Sequence, residues 1–245
     1  MNIFSSIRNS FLKVFGDIKV FPYPFFLLYN PGSYMVKGDE MRKVIEVIQE
    51  GDILIRGYKN YLDGYFIPGF FSHAGLFLGK VPRGDNEDIV PEVVKGFYRT
   101  GEQVVMHSMA EGVFMEDVLN FCRCDYMIIL RRKPEVESPE QQQIDFNEVY
   151  KRAFRYLGTP YDFKFDFSKF HHLSCTEFVY VCYEDIMPAY QVGITTRKVL
   201  GIKKELLTPD DFLTPQFEIV WKSRSIKDKI IQKLIERNLS RLANQ

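Results

Sequence analysis

Residues 174–177 read Ser174-Cys175-Thr176-Glu177, followed by Phe178-Val179, and this run decides how the rest of the chain is read. Ser174 and Glu177 fit an S-x-x-E capping box, in which the serine hydroxyl satisfies the N3 amide and the glutamate reaches back to the cap amide. With Ser174 as N-cap, Cys175 is N1, so its own N–H, that of Thr176 and the positive end of the helix dipole bear on the sulfur. That position predicts a thiol pKa lowered below ~8.5. Phe178, Val179, Val181 and Cys182 follow at i+3, i+4, i+6 and i+7, so the helix is expected to bury one side and hold the sulfur on a packed element.

Upstream of this helix lie His171 and His172 and, before them, an aromatic loop from Tyr161 to Phe170. Ahead of the loop, Phe146, Val149, Tyr150, Ala153, Phe154 and Leu157 recur at helical spacing until Gly158 and Pro160 stop the run, which predicts a helix. A shorter helix is expected from Met41 to Ile48, closed by Gly51 in a left-handed cap. Strands are expected at Asp52 to Arg56, Ser72 to Gly79, Val104 to Ser108, Tyr126 to Arg131 and Ile219 to Trp221, with Gly112 to Met115 also extended. All are short, as in an antiparallel sheet. The 72–79 run alternates weakly, which predicts cover on both of its faces.

The chain has 245 residues, 46% hydrophobic and 15% aromatic, enough for a sizeable core. Lys plus Arg and Asp plus Glu are both 32, so no global attraction to nucleic acid is expected. The final 24 residues depart from that balance. From Lys222 onward seven basic residues stand against Asp228 and Glu236, a net +5. Their spacing predicts a basic amphipathic helix from Ile226 to Leu242. At the other end Phe4, Ile7, Phe11, Val14, Phe15 and Ile18 recur at helical spacing. Two readings stand for these ends: devices for a membrane surface, or extensions packed on the main domain or on a second copy of the chain. No run of about 18 apolar residues spans a membrane, and no cleavage pattern follows the Pro-broken Val20 to Tyr29 stretch. A cytoplasmic, reduced protein is expected, peripheral at the membrane if the ends serve that purpose.

A thiol needs a base, and His73, His107, His171 and His172 are the four histidines. His73 lies in a strand beside Ser72, Ala74 and Gly75, small residues that let another group approach. His107 also lies in a strand, where it can orient a first imidazole. A zinc site built from Cys122, Cys124, His171, His172 and Cys175 lacks the usual Cys spacing. No metal and no cofactor are therefore expected. Cys122, Cys124 and Cys182 read as buried apolar side chains, and Asp52 and Asp162 as turn and strand-end acceptors.

In order, Gly51-Asp52-Ile53-Leu54, Ser72-His73-Ala74-Gly75-Leu76-Phe77-Leu78-Gly79, Gly158-Thr159-Pro160-Tyr161-Asp162 and Ser174-Cys175-Thr176-Glu177 resemble the circularly permuted NlpC-type papain-like family. That family includes YiiX-like proteins and, more distantly, the lecithin retinol acyltransferase group. Its members place the histidine on a strand first and the cysteine at a helix start later. The resemblance implies Cys175 as nucleophile, His73 as general base and His107 as the third, polar residue, with Glu92 and Glu111 as rivals because the excursion between the two histidines is long. The Cys175 backbone N–H is the expected oxyanion donor, and Tyr161 a substrate contact.

The sequence thus predicts an α+β papain-like fold: a small antiparallel sheet packed with helices over residues 37–221, an amphipathic extension at 1–36 and a basic helix at 222–245. The expected chemistry is a Cys-acyl intermediate formed from an amide or ester, with a peptide or lipid-acyl substrate, ending in hydrolysis or acyl transfer. A binding module with weak or no turnover on the same fold is the alternative, since fold alone does not set function.

Overall fold

The Ile53-Leu54-Ile55 run belongs to strand β3 (Ile53–Gly57), every residue of which is buried. Branched and aliphatic side chains on successive positions suit a strand covered on both faces. It is a central strand of a six-stranded antiparallel sheet in the order β10-β7-β3-β4-β5-β6. The other strands of that sheet are β4 (His73–Val81), β5 (Gly101–Met109), β6 (Gly112–Asp117), β7 (Tyr126–Arg131) and β10 (Glu218–Lys222). Each overlaps a strand expected from the sequence. This computed structural model describes residues 18–22, 25–29, 34–59, 69–84, 91–142, 144–163, 171–199 and 202–242.

Alternation along the strands sends two sets of side chains to two cores. Ile53, Ile55, Ala74, Leu76, Met106, Ile128 and Leu130 belong to the larger one. It also takes Val149 and Ala153 of α4 (Phe146–Arg155) and Phe178, Val179 and Val181 of α5 (Cys175–Cys182). Leu54, Phe77, Val105, Met127 and Ile129 face the smaller core, with Val44 of α1 (Gly38–Val47) and Val118 and Phe121 of α2 (Val118–Phe121). The expectation that both faces of the 72–79 strand are covered therefore matches the packing. A one-turn helix, α3 (Pro139–Gln142), precedes α4.

The last helix, α6 (Asp228–Leu242), puts Ile231 and Leu234 into the larger core. Its apolar side packs on the domain. The chain divides into two compact units, Met1–Met35 and Val36–Gln245, so this helix shares a unit with the sheet.

Three features differ from the sequence reading. Gly51 does adopt a left-handed φ of +89°, but it does so in the turn entering β3, beyond an α1 that ends at Val47. A hairpin of β8 (Thr195–Val199) and β9 (Ile202–Leu206) was not expected. In the first unit β1 (Ile18–Pro22) pairs antiparallel with β2 (Phe25–Tyr29), with Ile18 opposite Tyr29. The helical spacing carried to Ile18 thus meets a strand there, as the β-prone Ile18-Lys19-Val20-Phe21 run allows. The rest of that amphipathic segment lies outside the described residues, as do most of the aromatic loop and residues 60–68.

Candidate active site

Ser174 caps α5 as the sequence implies. Its extended backbone (φ −69°, ψ 171°) precedes a helix in which both halves of the capping box form: the Ser174 N–H donates to Glu177 Oε2 at 2.7 Å and the Glu177 N–H to Ser174 Oγ at 3.4 Å. Cys175 is then the first helical residue, and its N–H has no acceptor within the helix.

Local bonds hold this turn against the sheet. Ser108 Oγ donates to the Leu173 carbonyl at 2.5 Å, and Thr176 Oγ1 to the Leu207 carbonyl at 2.8 Å. The Gly158-Thr159-Pro160 run completes the mount. Val113 N–H donates to the Thr159 carbonyl and Leu173 N–H to the Pro160 carbonyl, at 2.8 and 2.9 Å. Ser108 follows His107 in β5, so the cysteine turn is tied one residue away from that imidazole.

His73 opens β4. Its Nε2 lies 2.8 Å from His107 Nδ1, the two rings crossing at 84°. The amide of Ala74, the next along from His73, bears on the Cys175 sulfur. Phe121 lies beside both imidazoles, with centroids 5.6 Å from His73 and 5.4 Å from His107. This needs Gly75, because a Cβ there would stand 2.8 Å from the Phe121 ring.

Two charged residues that the sequence reading passed over complete the cluster. Glu116 Oε1 lies 3.0 Å from His107 Nε2. The distance suits a hydrogen bond although the N–H is not well aimed, and neither atom makes another hydrogen bond. We treat the contact as a pairing, since both atoms are buried and a polar atom left alone there is costly. Arg56 Nη1 is 3.6 Å from the same Glu116 oxygen and donates to the Phe121 carbonyl at 2.8 Å. Its guanidinium sits 4.1 Å above the Phe121 ring. Of the rivals for the third place, Glu92 is exposed and pairs with Lys95, and Glu111 is exposed in the β5–β6 turn, from where its charge still bears on His107.

Electrostatics correct one expectation. Burial pushes the Cys175 thiol up to about 11, outweighing the Ala74 and Thr176 amides that pull it down. Depth, which the sequence does not display, wins over helix position. Burial likewise lowers His73 well below its ordinary value, with Arg56 and His107 adding to the shift, and lowers His107, with Glu116 opposing and Arg56 assisting. For Glu116, burial raises the carboxyl, but the His107 contact and Arg56 hold it below its usual range. These shifts keep the Cys175 thiol and both imidazoles neutral at pH 7. Tyr161 is half-buried, its phenol raised by burial first and then by the nearby Cys175, Glu177 and Asp162.

The two buried histidines predict acid sensitivity. With folded values below the unfolded 6.5, both states are neutral above that pH, and as pH falls through it the unfolded chain takes protons first. Stability should drop from pH 7 to 5.5, above the carboxylate range. Urea melts across that window test this; constant or rising stability would refute it.

A family model described as "Permuted papain-like amidase enzyme, YaeF/YiiX, C92 family" matches residues 47–228. Among solved structures, that titled metalloprotein yiiX from Escherichia coli O157:H7 superposes with a TM-score of 0.50 at 17% identity, covering 72% of this chain and 98% of its own. No curated protein matches the chain.

Proposed function

The chain belongs to the permuted papain-like amidase family, and from that membership we propose that Cys175 is the nucleophile of a cysteine hydrolase, His73 its general base and His107 the residue orienting the His73 ring. The observation that carries this reading is the pairing of His73 Nε2 with His107 Nδ1 at 2.8 Å, beside a peptide whose amide bears on the Cys175 sulfur. The two imidazoles pair with each other and the amide next to His73 reaches the sulfur, and the proposed roles do not depend on chain order.

In this mechanism His73 Nδ1, the ring nitrogen not paired with His107, takes the thiol proton while the sulfur adds to the carbonyl carbon of an amide or ester. Negative charge develops on the carbonyl oxygen, for which the Cys175 N–H is the available donor. Collapse breaks the bond to the leaving amine or alcohol, which receives the proton from His73 and leaves a thioester on Cys175. Water then attacks with His73 again as base, the acid departs and the thiol regains its proton. Another acceptor in place of water would make the same intermediate a transferase. Because both groups rest neutral, proton transfer accompanies attack. Tyr161 is the proposed substrate contact, and the acyl donor a peptide or a lipid-borne acyl group.

The bacterial neighbour is titled a metalloprotein. Among the described residues of this chain no group of three or more His, Cys, Asp or Glu side chains could hold a metal, and His73 and His107 spend ring nitrogens on each other. That donor set does not fit a metal, and no step is routed through one. Nor is any described helix long and apolar enough to cross a membrane.

Brief iodoacetamide treatment followed by peptide mapping tests the nucleophile. Cys175 should be labelled first, because Cys122 is raised further, to about 12, and Cys124 and Cys182 higher still. The rate should keep climbing with pH toward about 11 instead of levelling off near neutrality. Faster labelling of another cysteine would count against the site. If Cys175 labels yet forms no acyl adduct with any amide or ester tried, the binding-module reading gains, and the sulfur's burial already favours it to that extent.

A further inference from the structure

Arg56, His73, His107 and Glu116 come from four consecutive strands of the sheet. Register puts them on one face. Arg56 stands opposite His73 across β3–β4, and His107 opposite Phe114 across β5–β6, so Glu116, two residues beyond Phe114, is its diagonal neighbour. Side chains in that diagonal relation are within reach of each other when long.

Between two neutral imidazoles with nitrogens 2.8 Å apart there is one proton, and it has two places to sit. If His73 donates from Nε2, its Nδ1 carries a bare lone pair and can act as a base. If His107 donates from Nδ1, His73 keeps its own proton on Nδ1 and cannot accept one. Nothing in the pair alone decides between these orders, because each neutral ring has one donor and one acceptor nitrogen. Glu116 breaks the symmetry. An ionised carboxylate accepts and cannot donate, so an oxygen 3.0 Å from His107 Nε2 favours the tautomer with its proton there. The opposite order would set a lone pair against a carboxylate in a buried site.

We propose that Glu116, paired with Arg56, is a positioning residue that fixes both histidines as Nε2–H tautomers and so leaves His73 Nδ1 free to take the Cys175 proton. The use of that lone pair rests on the function proposed above, whereas the tautomers themselves can be read without turnover. The other charges felt by this cluster are Glu111 at His107 and Arg99 at Glu116. Arg56 favours the ionised form of Glu116 and opposes a second proton on either ring.

The experiment uses the full chain labelled with ¹⁵N-histidine, in which long-range nitrogen–proton correlations report which ring nitrogen of each of the four histidines carries the proton. Wild-type protein should show His73 and His107 both protonated at Nε2. A proton on Nδ1 of either would overturn the assignment, and that result needs no variant to fold. Glu116→Leu should admit the Nδ1–H forms and slow iodoacetamide alkylation of Cys175 at neutral pH by about tenfold or more, less than the roughly 10²-fold or more that a positioned base supplies because the Nε2–H form stays partly populated. Unchanged tautomers in that variant would overturn the proposal. Glu116→Gln keeps a carbonyl acceptor and should restore the Nε2–H forms; a glutamine no better than leucine would also overturn it. Should the tautomers be as expected while no acyl adduct ever forms on Cys175, the proposed function fails and the assignment of Glu116 stands.

Discussion

Cys175→Ala should remove turnover while the protein still folds, as expected of the proposed nucleophile. Against any amide or ester that the wild type cleaves, kcat should fall by about 10⁴-fold or more, the scale of loss when a covalent nucleophile is deleted. Cys175 is 4% exposed, so loss of its sulfur leaves a small cavity costing about 1 kcal/mol, far from enough to unfold a domain. His73→Ala should lower kcat comparably, because the neutral thiol then has no base, and the two together should cost little more than either alone. That non-additivity is the discriminating result. Steady-state kinetics on the single and double variants measure it, with circular dichroism to establish the fold. If the alanine variant keeps more than about a tenth of wild-type kcat, the covalent route is not the one used.

Different parts of the molecule became legible for different physical reasons. The capping box of Ser174 and Glu177 is a local device spanning four positions, so residue types alone reveal it. The sheet is similarly plain, because Ile53-Leu54-Ile55 and Met127-Ile128-Ile129-Leu130 are short, apolar and rich in β-branched residues, which favours covered strands. Arg56 and Glu116 were hidden for the opposite reason. Each matters only through the residue across from it or diagonal to it, and a register slipped by one would turn it to the other face of the sheet. The same holds for Phe121, whose place beside both imidazoles depends on Gly75 in a distant strand. The thiol pKa was misjudged because two amides can be counted from a sequence and depth cannot. As for β8 and β9, the run Thr195-Thr196-Arg197-Lys198-Val199 is too polar to reveal a hairpin by burial.

Of the two readings open for the basic last helix, packing on the domain is the one its apolar side follows, and the helix contributes to a buried knot on the segment that leads to His73. Asp210, fully buried, accepts the Phe70 and Phe71 N–H groups at 2.9 and 2.8 Å and Arg237 at 2.7 Å. Asn238 of the same helix donates to the Asp210 and Leu213 carbonyls, at 2.7 and 2.9 Å. One carboxylate therefore joins α6 to the segment that runs into β4, and Phe71 is two residues before His73. Asp210→Ala would leave two amides and a guanidinium without their acceptor. The expected loss is about 3–5 kcal/mol, or roughly 10 °C in melting temperature for a chain of this size. Arg237→Met should cost much less, about 1 kcal/mol, since that side chain is 36% exposed and Asp210 keeps both amides. The ranking follows from the geometry, because the amides cannot turn to water where the guanidinium can. Denaturant melts of the two variants decide it: an Asp210→Ala loss no larger than that of Arg237→Met would mean that the helix, and not the carboxylate, holds the approach to His73.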